Sequence, residues 1–252
     1  MNVLKADFFR FIKDKTTYIL LGIVFLMSPI TCLMYSLMGN TAFTVERLLY
    51  QGLGTEILCV IIGLHLSMFI GKEYANNTIR NKLCYGETRY KIAGCFFLES
   101  LIITFLYVFV SIFSSVIFGS IFGSFAFTSG FMARLLCQIA IIIAFSFVIT
   151  GIVVSTKNMK SGFMVTVLVS VIFTAISYAL PMLAARFPII EVLCRSLYMI
   201  VSTMLISSVD GIYHVGTVAF EGIYANALIL SFVYITVSVG ATMLAVKKHS
   251  YK

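Results

Sequence analysis

Long apolar stretches, nearly empty of charge, recur along the chain, separated by short segments that gather most of its Lys, Arg, Asp and Glu. A helix needs about 20 mainly apolar residues to cross the hydrocarbon of a bilayer. Six stretches reach that length, at about residues 17–38, 53–71, 92–118, 135–156, 162–184 and 222–246. The second carries Glu56 near one end, and the third carries Glu99. A further apolar run, Ser196 to Val209, is too short to cross and fits a re-entrant or half-buried helix. The pattern predicts an all-α membrane protein, a single transmembrane domain over residues 1–252 built on six spans.

The polar segments set the orientation. Six crossings place Lys5, Arg10, Lys13, Lys15, Lys72, Arg80, Lys82, Arg89, Lys91, Lys157, Lys160, Lys247, Lys248 and Lys252 on one side, and leave Arg47, Arg134, Arg186 and Arg195 on the other. Basic residues concentrate in cytoplasmic loops, so both termini are expected in the cytoplasm. A seventh crossing would carry the basic tail to the wrong side. The first apolar stretch is too long for a signal-peptide core and no small-residue cleavage site closes it, so a retained first span is expected.

Composition narrows the class. Of the 252 residues 60% are hydrophobic and 11% charged, with a mean hydropathy of +1.04, whereas soluble domains carry about 25% charged residues. No segment reads as a separate soluble domain. The net charge of +8 follows from orientation and from attraction to anionic headgroups, worth about 1 kcal/mol per basic residue near the surface. A basic face on a folded domain is lacking, so no nucleic-acid partner is expected. The six cysteines (Cys32, Cys59, Cys84, Cys95, Cys137 and Cys194) form no CxxC pair and have no histidine at a ligand spacing. They are expected to be packing residues, with no metal site.

Two of the cytoplasmic segments have internal pattern. Leu4, Phe8, Phe11 and Ile12 recur at i, i+4, i+7 and i+8 with Lys5, Arg10, Lys13 and Asp14 between them, the signature of an amphipathic helix lying in the interface. Between spans two and three, Asn76 or Asn77 can cap a short helix by accepting a backbone N–H bond. Gly86 supplies the left-handed residue that ends it. Ile79 and Leu83 stand four apart on one face, flanked by Arg80 and Lys82. Such an apolar ridge with a basic rim suits docking into another protein's groove.

The set Gly71, Glu73, Tyr74, Thr78, Ile79, Arg80, Lys82, Leu83, Gly86 and Arg89 resembles the loop that follows the second span in ABC-2 type ABC-transporter permeases of the small six-span bacterial type. Asn77 stands where many members have glycine, and asparagine also tolerates left-handed dihedrals. The resemblance extends over the whole chain. It implies an amino-terminal interfacial elbow helix, a coupling helix between spans two and three, and short half-buried helices before span six. It further implies a transmembrane subunit of an exporter in the bacterial cytoplasmic membrane, working with two copies of an ABC ATPase subunit and a second permease chain, identical or homologous. Thr78, Ile79, Arg80, Lys82 and Leu83 then become the ATPase-coupling residues, with Ile79 and Leu83 as knobs and Arg80 and Lys82 facing acidic groups.

Nothing in the chain matches the GxxxxGK[ST] phosphate loop. No catalytic residue and no directly bound cofactor are expected, ATP and Mg belonging to the partner ATPase. Motifs of intramembrane proteases, GxSxG or HExxH, are missing too. Small permeases of this kind resemble those exporting, or protecting against, antimicrobial peptides, and walls of Phe, Ile, Leu, Val and Met suit a hydrophobic or amphipathic cargo. The alternatives are an ATP-independent secondary transporter and a non-transporting immunity or sensor subunit on the same scaffold.

Glu99 lies about 10 Å into span three at 1.5 Å per residue. A carboxylate at that depth costs up to about 2.5 to 3.5 kcal/mol, so it should face protein or water. It is a candidate pathway or gating residue, or a hydrogen-bond partner of another span. Gly119 and Gly123 form a GxxxG that permits close helix approach. Pro29 and Pro181 lie within spans one and five, where a kink is plausible. Between Arg186 and Glu221 short apolar stretches alternate with polar residues, a pattern expected to cap the outer end of a pathway; His214 stands alone there and is no convincing metal ligand.

Overall fold

The computed structural model of the chain describes residues 2–37, 44–46, 48–49, 56–125, 127, 131–158, 160, 162–168 and 223–248. Its helices are α1 (Asn2–Lys13), α2 (Lys15–Leu37), α3 (Glu56–Ala75), α4 (Thr78–Cys84), α5 (Arg89–Phe122), α6 (Phe131–Thr156) and α7 (Ile223–Lys248), and residues 162–168 are helical as well. Among the described residues there is no strand beyond one isolated bridge, Thr44 to Ser124. Most of the expected fifth span, Pro181, Cys194, the run 196–209 and His214 lie outside the described residues.

Among the described residues four helices are long and apolar enough to cross a membrane: Lys15–Leu37, Ile57–Ala75, Arg89–Phe122 and Phe131–Thr156. At 34 residues, α5 is about 50 Å long. That exceeds the roughly 30 Å of hydrocarbon in a bilayer, so its ends extend beyond it. α6 lies innermost, with 72% of its apolar window buried, against 22% for α2. It packs on α7, α3 and α5, while α2 rests on α5. On α2 the side chains of Ile19, Ile23, Leu26, Ile30 and Leu33 point outward. An apolar exterior of this extent suits lipid, since a water-facing surface would break it up with charge.

Apolar helices gain nothing from the hydrophobic effect when they associate in lipid, so small residues and hydroxyl groups hold them together. Ser28 and Ser115 share a hydrogen bond of 3.0 Å between α2 and α5, and Ser114 donates to the Phe25 carbonyl at 2.6 Å. Thr104 donates to Ser146 at 2.7 Å between α5 and α6. Ser238 donates to the Phe147 carbonyl at 2.7 Å between α7 and α6. Two glycines, Gly151 and Gly119, mark close approaches between elements. A Cβ on Gly151 would stand 2.7 Å from the hydroxyls of Ser238 and Thr242, and one on Gly119, the first glycine of the GxxxG, would stand 3.0 Å from Val45.

Candidate functional site

The segment between α3 and α5 has its turns fixed by single residues. Asn77 adopts the left-handed conformation, with φ 55°, and no side-chain bond caps α4. Asparagine therefore serves this turn through its backbone, and the capping bond expected of its amide is not made. At the other end Gly86 has φ +86°. Its N–H donates to the Leu83 carbonyl at 3.0 Å and the Glu87 N–H donates to the Lys82 carbonyl at 3.3 Å. This 5→2 and 6→1 pair is the Schellman ending that glycine favours. Thr88 then caps α5, its side chain accepting from the Lys91 N–H at 3.4 Å.

These turns aim α4 at the body of the protein. Lys82 Nζ reaches Asp7 Oδ2 of α1 at 2.7 Å and Glu73 Oε2 of α3 at 2.8 Å. Arg10 pairs with the other Glu73 oxygen and lies 3.9 Å from Asp7 Oδ1. The carboxyl groups of Asp7 and Glu73 are buried. Two acids and two bases thus close a neutral cluster joining three helices, the arrangement that lets charges sit away from water. Aromatic faces cover it: the Arg10 guanidinium lies 4.7 Å from the Phe69 ring centre and Lys82 Nζ 5.5 Å from that of Phe96. Tyr74 ties the same end of α3 to α6 by donating to the Val154 carbonyl at 3.2 Å.

Charge states follow this geometry. Burial pushes the Asp7 carboxyl up, but its contact with Glu99 and the Lys82 ammonium outweigh that and hold it below its ordinary value. Burial pushes Lys82 down, yet the Glu73 and Asp7 carboxylates overcome it and raise the ammonium above its ordinary value. Asp14, at the start of α2, is pushed up by burial. It ends below its ordinary value because Lys72 lies 2.8 Å away and Thr16 donates its N–H at 3.1 Å.

The five residues expected to couple to a partner divide into two groups. Ile79 is 4% exposed and belongs to the main core, and Leu83 packs against that core. Lys82 is consumed by Asp7 and Glu73, and Thr78 donates its hydroxyl to the Glu73 carbonyl at 2.9 Å. The expected outward ridge of Ile79 and Leu83 is therefore turned inward, because burying it on the protein's own apolar body also neutralises Lys82. Arg80 is exposed, as are Asn81, Cys84 and Tyr85, the last at 89%. Glu99 is buried in α5 with its carboxyl against that of Asp7.

Three features were missed at the level of sequence. Asp7 lies four residues before Phe11, which places it on the face that enters the protein, while Phe8, Phe9 and Ile12 stay outside. Glu73 was part of the matching motif but carried no role. His65 links three helices: its Nε2 lies 3.2 Å from the Thr17 hydroxyl and its Nδ1 2.8 Å from the Tyr107 hydroxyl, with Phe11 stacked on its ring at 5.7 Å.

A polytopic helical membrane protein, with a short helix clamped by charge beneath its apolar bundle, is the class this architecture defines. The profile described as ABC-2 family transporter protein matches residues 3–177, and the chain belongs to that family. Members are multi-pass permeases that generally work in the bilayer with an ATPase subunit. No curated protein matches the chain.

Proposed function

We propose that the chain is the transmembrane permease subunit of an ATP-driven ABC exporter in the bacterial cytoplasmic membrane. In this reading α1 is the elbow helix, α4 the coupling helix, and both termini are cytoplasmic. The four long apolar helices are joined by a span beginning in residues 162–168 and by α7 to make six. Two copies of a separate ATPase, which bind the ATP and Mg, and a second permease chain complete the transporter. The permease itself performs no catalysis.

The observation that carries the reading is the attachment of α4. Lys82 fastens this seven-residue helix to α1 and α3 together, so a push on its outer face is passed to the bundle at two points. Arg80, Asn81, Cys84 and Tyr85 supply that face, with Tyr85 as the aromatic anchor typical of a protein interface. Thr78, Ile79, Lys82 and Leu83 couple from within, as the root of the helix. The cargo is a hydrophobic or amphipathic molecule, with an antimicrobial or other peptide favoured by the apolar helix surfaces.

The test is co-purification of the ATPase with a tagged permease carrying Arg80→Glu and Tyr85→Ala. Membrane levels of the permease should be unchanged, while recovery of the ATPase and peptide-stimulated ATP hydrolysis in vesicles fall at least tenfold. Undiminished recovery and hydrolysis would remove α4 from the interface.

A further inference from the structure

Asp7 of α1 and Glu99 of α5 share a hydrogen bond through their carboxyl groups, and both residues are buried. An ionised carboxylate only accepts, so a bond between two carboxyl groups requires one of them to carry a proton. The surrounding charges decide which. Arg10 of α1 and Lys82 of α4 face Asp7 and Glu73 of α3, so two bases already balance two acids, and the remaining titratable neighbour is the Cys95 thiol, one turn earlier on α5. Lys82, 2.7 Å away, keeps Asp7 ionised. The proton therefore sits on Glu99, whose O–H donates to the Asp7 carboxylate. Phe8, Phe11, Phe69, Ile102 and Ile103 wall the small cavity beside the pair, and such side chains do nothing to stabilise a third negative charge.

We propose that the proton shared by Asp7 and Glu99 is a latch: it holds α1 against α5, and its loss on raising the pH releases α1 from the bundle. When a base takes the proton, two carboxylates face one another at a site whose cations are already engaged, and the repulsion falls between α1 and α5. The docked form holds a proton that the released form gives up, so docking weakens as pH rises. α5 is fixed to its neighbours by the Ser28–Ser115 and Thr104–Ser146 bonds. α1 is the element that yields, because Phe8, Phe9 and Ile12 on its outer face are exposed. α4 stays in place, because Lys82 reaches Glu73 at 2.8 Å without the help of Asp7. The two short helices therefore respond differently to the proton. The latch goes beyond the export reading and needs neither cargo nor ATPase.

The test uses the full chain in phosphatidylcholine nanodiscs, with infrared spectra and amide exchange followed from pH 6 upward. The carbonyl band of a protonated carboxyl is expected at pH 6 and should be missing from Glu99→Gln. Titrating that band away should speed exchange of the Phe9 to Ile12 amides at least tenfold, after correction for intrinsic rates, with the α4 amides unchanged. Glu99→Gln offers Asp7 an N–H donor that does not titrate, so α1 should stay protected throughout. Glu99→Leu removes the bond and the titration together, and should open α1 at least tenfold at pH 6 with no further step. A parent protein without the band at pH 6, or one whose band persists until α6 itself opens, would overturn the latch. So would a band that vanishes while α1 stays protected, or equal α1 exchange in the two variants. None of these results bears on whether the ATPase co-purifies, so the two tests fail separately.

Discussion

Lys82 Nζ lies 2.7 Å from Asp7 Oδ2, although 75 residues separate them along the chain, and the same ammonium reaches Glu73 at 2.8 Å. Both carboxyl groups are buried, so the pairing decides how α1 and α4 attach to the bundle. With one contact on each side, the ammonium ties α4 to both α1 and α3.

Replacing Lys82 with methionine should therefore be costly. Arg10 remains to pair with Glu73, but Asp7 keeps only a 3.9 Å contact to it. Breaking a buried pair from one side costs about 3 to 5 kcal/mol, and because Lys82 retains some exposure, at 14%, the lower end applies. Chemical unfolding in detergent should register this loss, and amide exchange in α1 should accelerate more than in α6. Adding Asp7→Asn to Lys82→Met should recover part of the stability. An α1 that exchanges as slowly as in the parent would show that the pair does not hold it.

The cluster also marks where sequence reading runs out. The four long apolar helices were legible because an apolar window of about 20 residues has few alternative fates. The left-handed turn at Asn77 and the glycine ending at Gly86 were legible because few residues adopt those dihedrals. The direction of the Ile79–Leu83 ridge was not, since the same stripe can face a partner or the protein's own core. That choice was settled by Asp7, which is distant in sequence and looks like one more charge on an amphipathic helix. His65 was hidden for a similar reason: its partners, Thr17 and Tyr107, come from other helices.

At Gly86 a side chain would meet no neighbour within 4 Å, and the backbone sits at φ +86°. Any cost of substitution is thus a cost of the dihedral alone. Gly86→Ala should destabilise α4 by about 1 to 2 kcal/mol, while Gly86→Asn should lose less. Exchange of the Gly86 and Glu87 amides, which close the helix, measures both. Equal protection in the glycine and alanine proteins would contradict the assignment.

Asp14 caps α2 through Thr16 and pairs with Lys72. Its carboxyl lies below its ordinary value in the folded protein, so the unfolded chain takes up the proton first as pH falls. The stabilisation it provides is complete above about pH 4, the ordinary aspartate value, and is lost as the pH drops through the lower folded value. The amides of Thr16 and Thr17, corrected for intrinsic exchange, should stay protected from pH 8 to 5 and open on acidification below about 4. Asp14→Asn keeps a capping oxygen but removes the charge, and should flatten this dependence. A protection profile identical in the two proteins would exclude Asp14 as its source.

The bonds around His65 assign its protons. The Thr17 hydroxyl donates to the Phe11 carbonyl at 3.3 Å, so its lone pairs accept from Nε2–H, leaving Nδ1 to accept from the Tyr107 hydroxyl. His65 is 1% exposed, and water is not at hand to replace a lost donor. Tyr107→Phe should then cost about 1 to 3 kcal/mol, the penalty for a buried acceptor left unpaired. In a His65→Phe background no acceptor is present, and the same change should be nearly neutral. The double-mutant cycle, read by unfolding in detergent, should give a coupling of at least about 1 kcal/mol. Equal costs in both backgrounds would mean that the hydroxyl and the imidazole do not support one another, and that α3 and α5 are held here by packing alone.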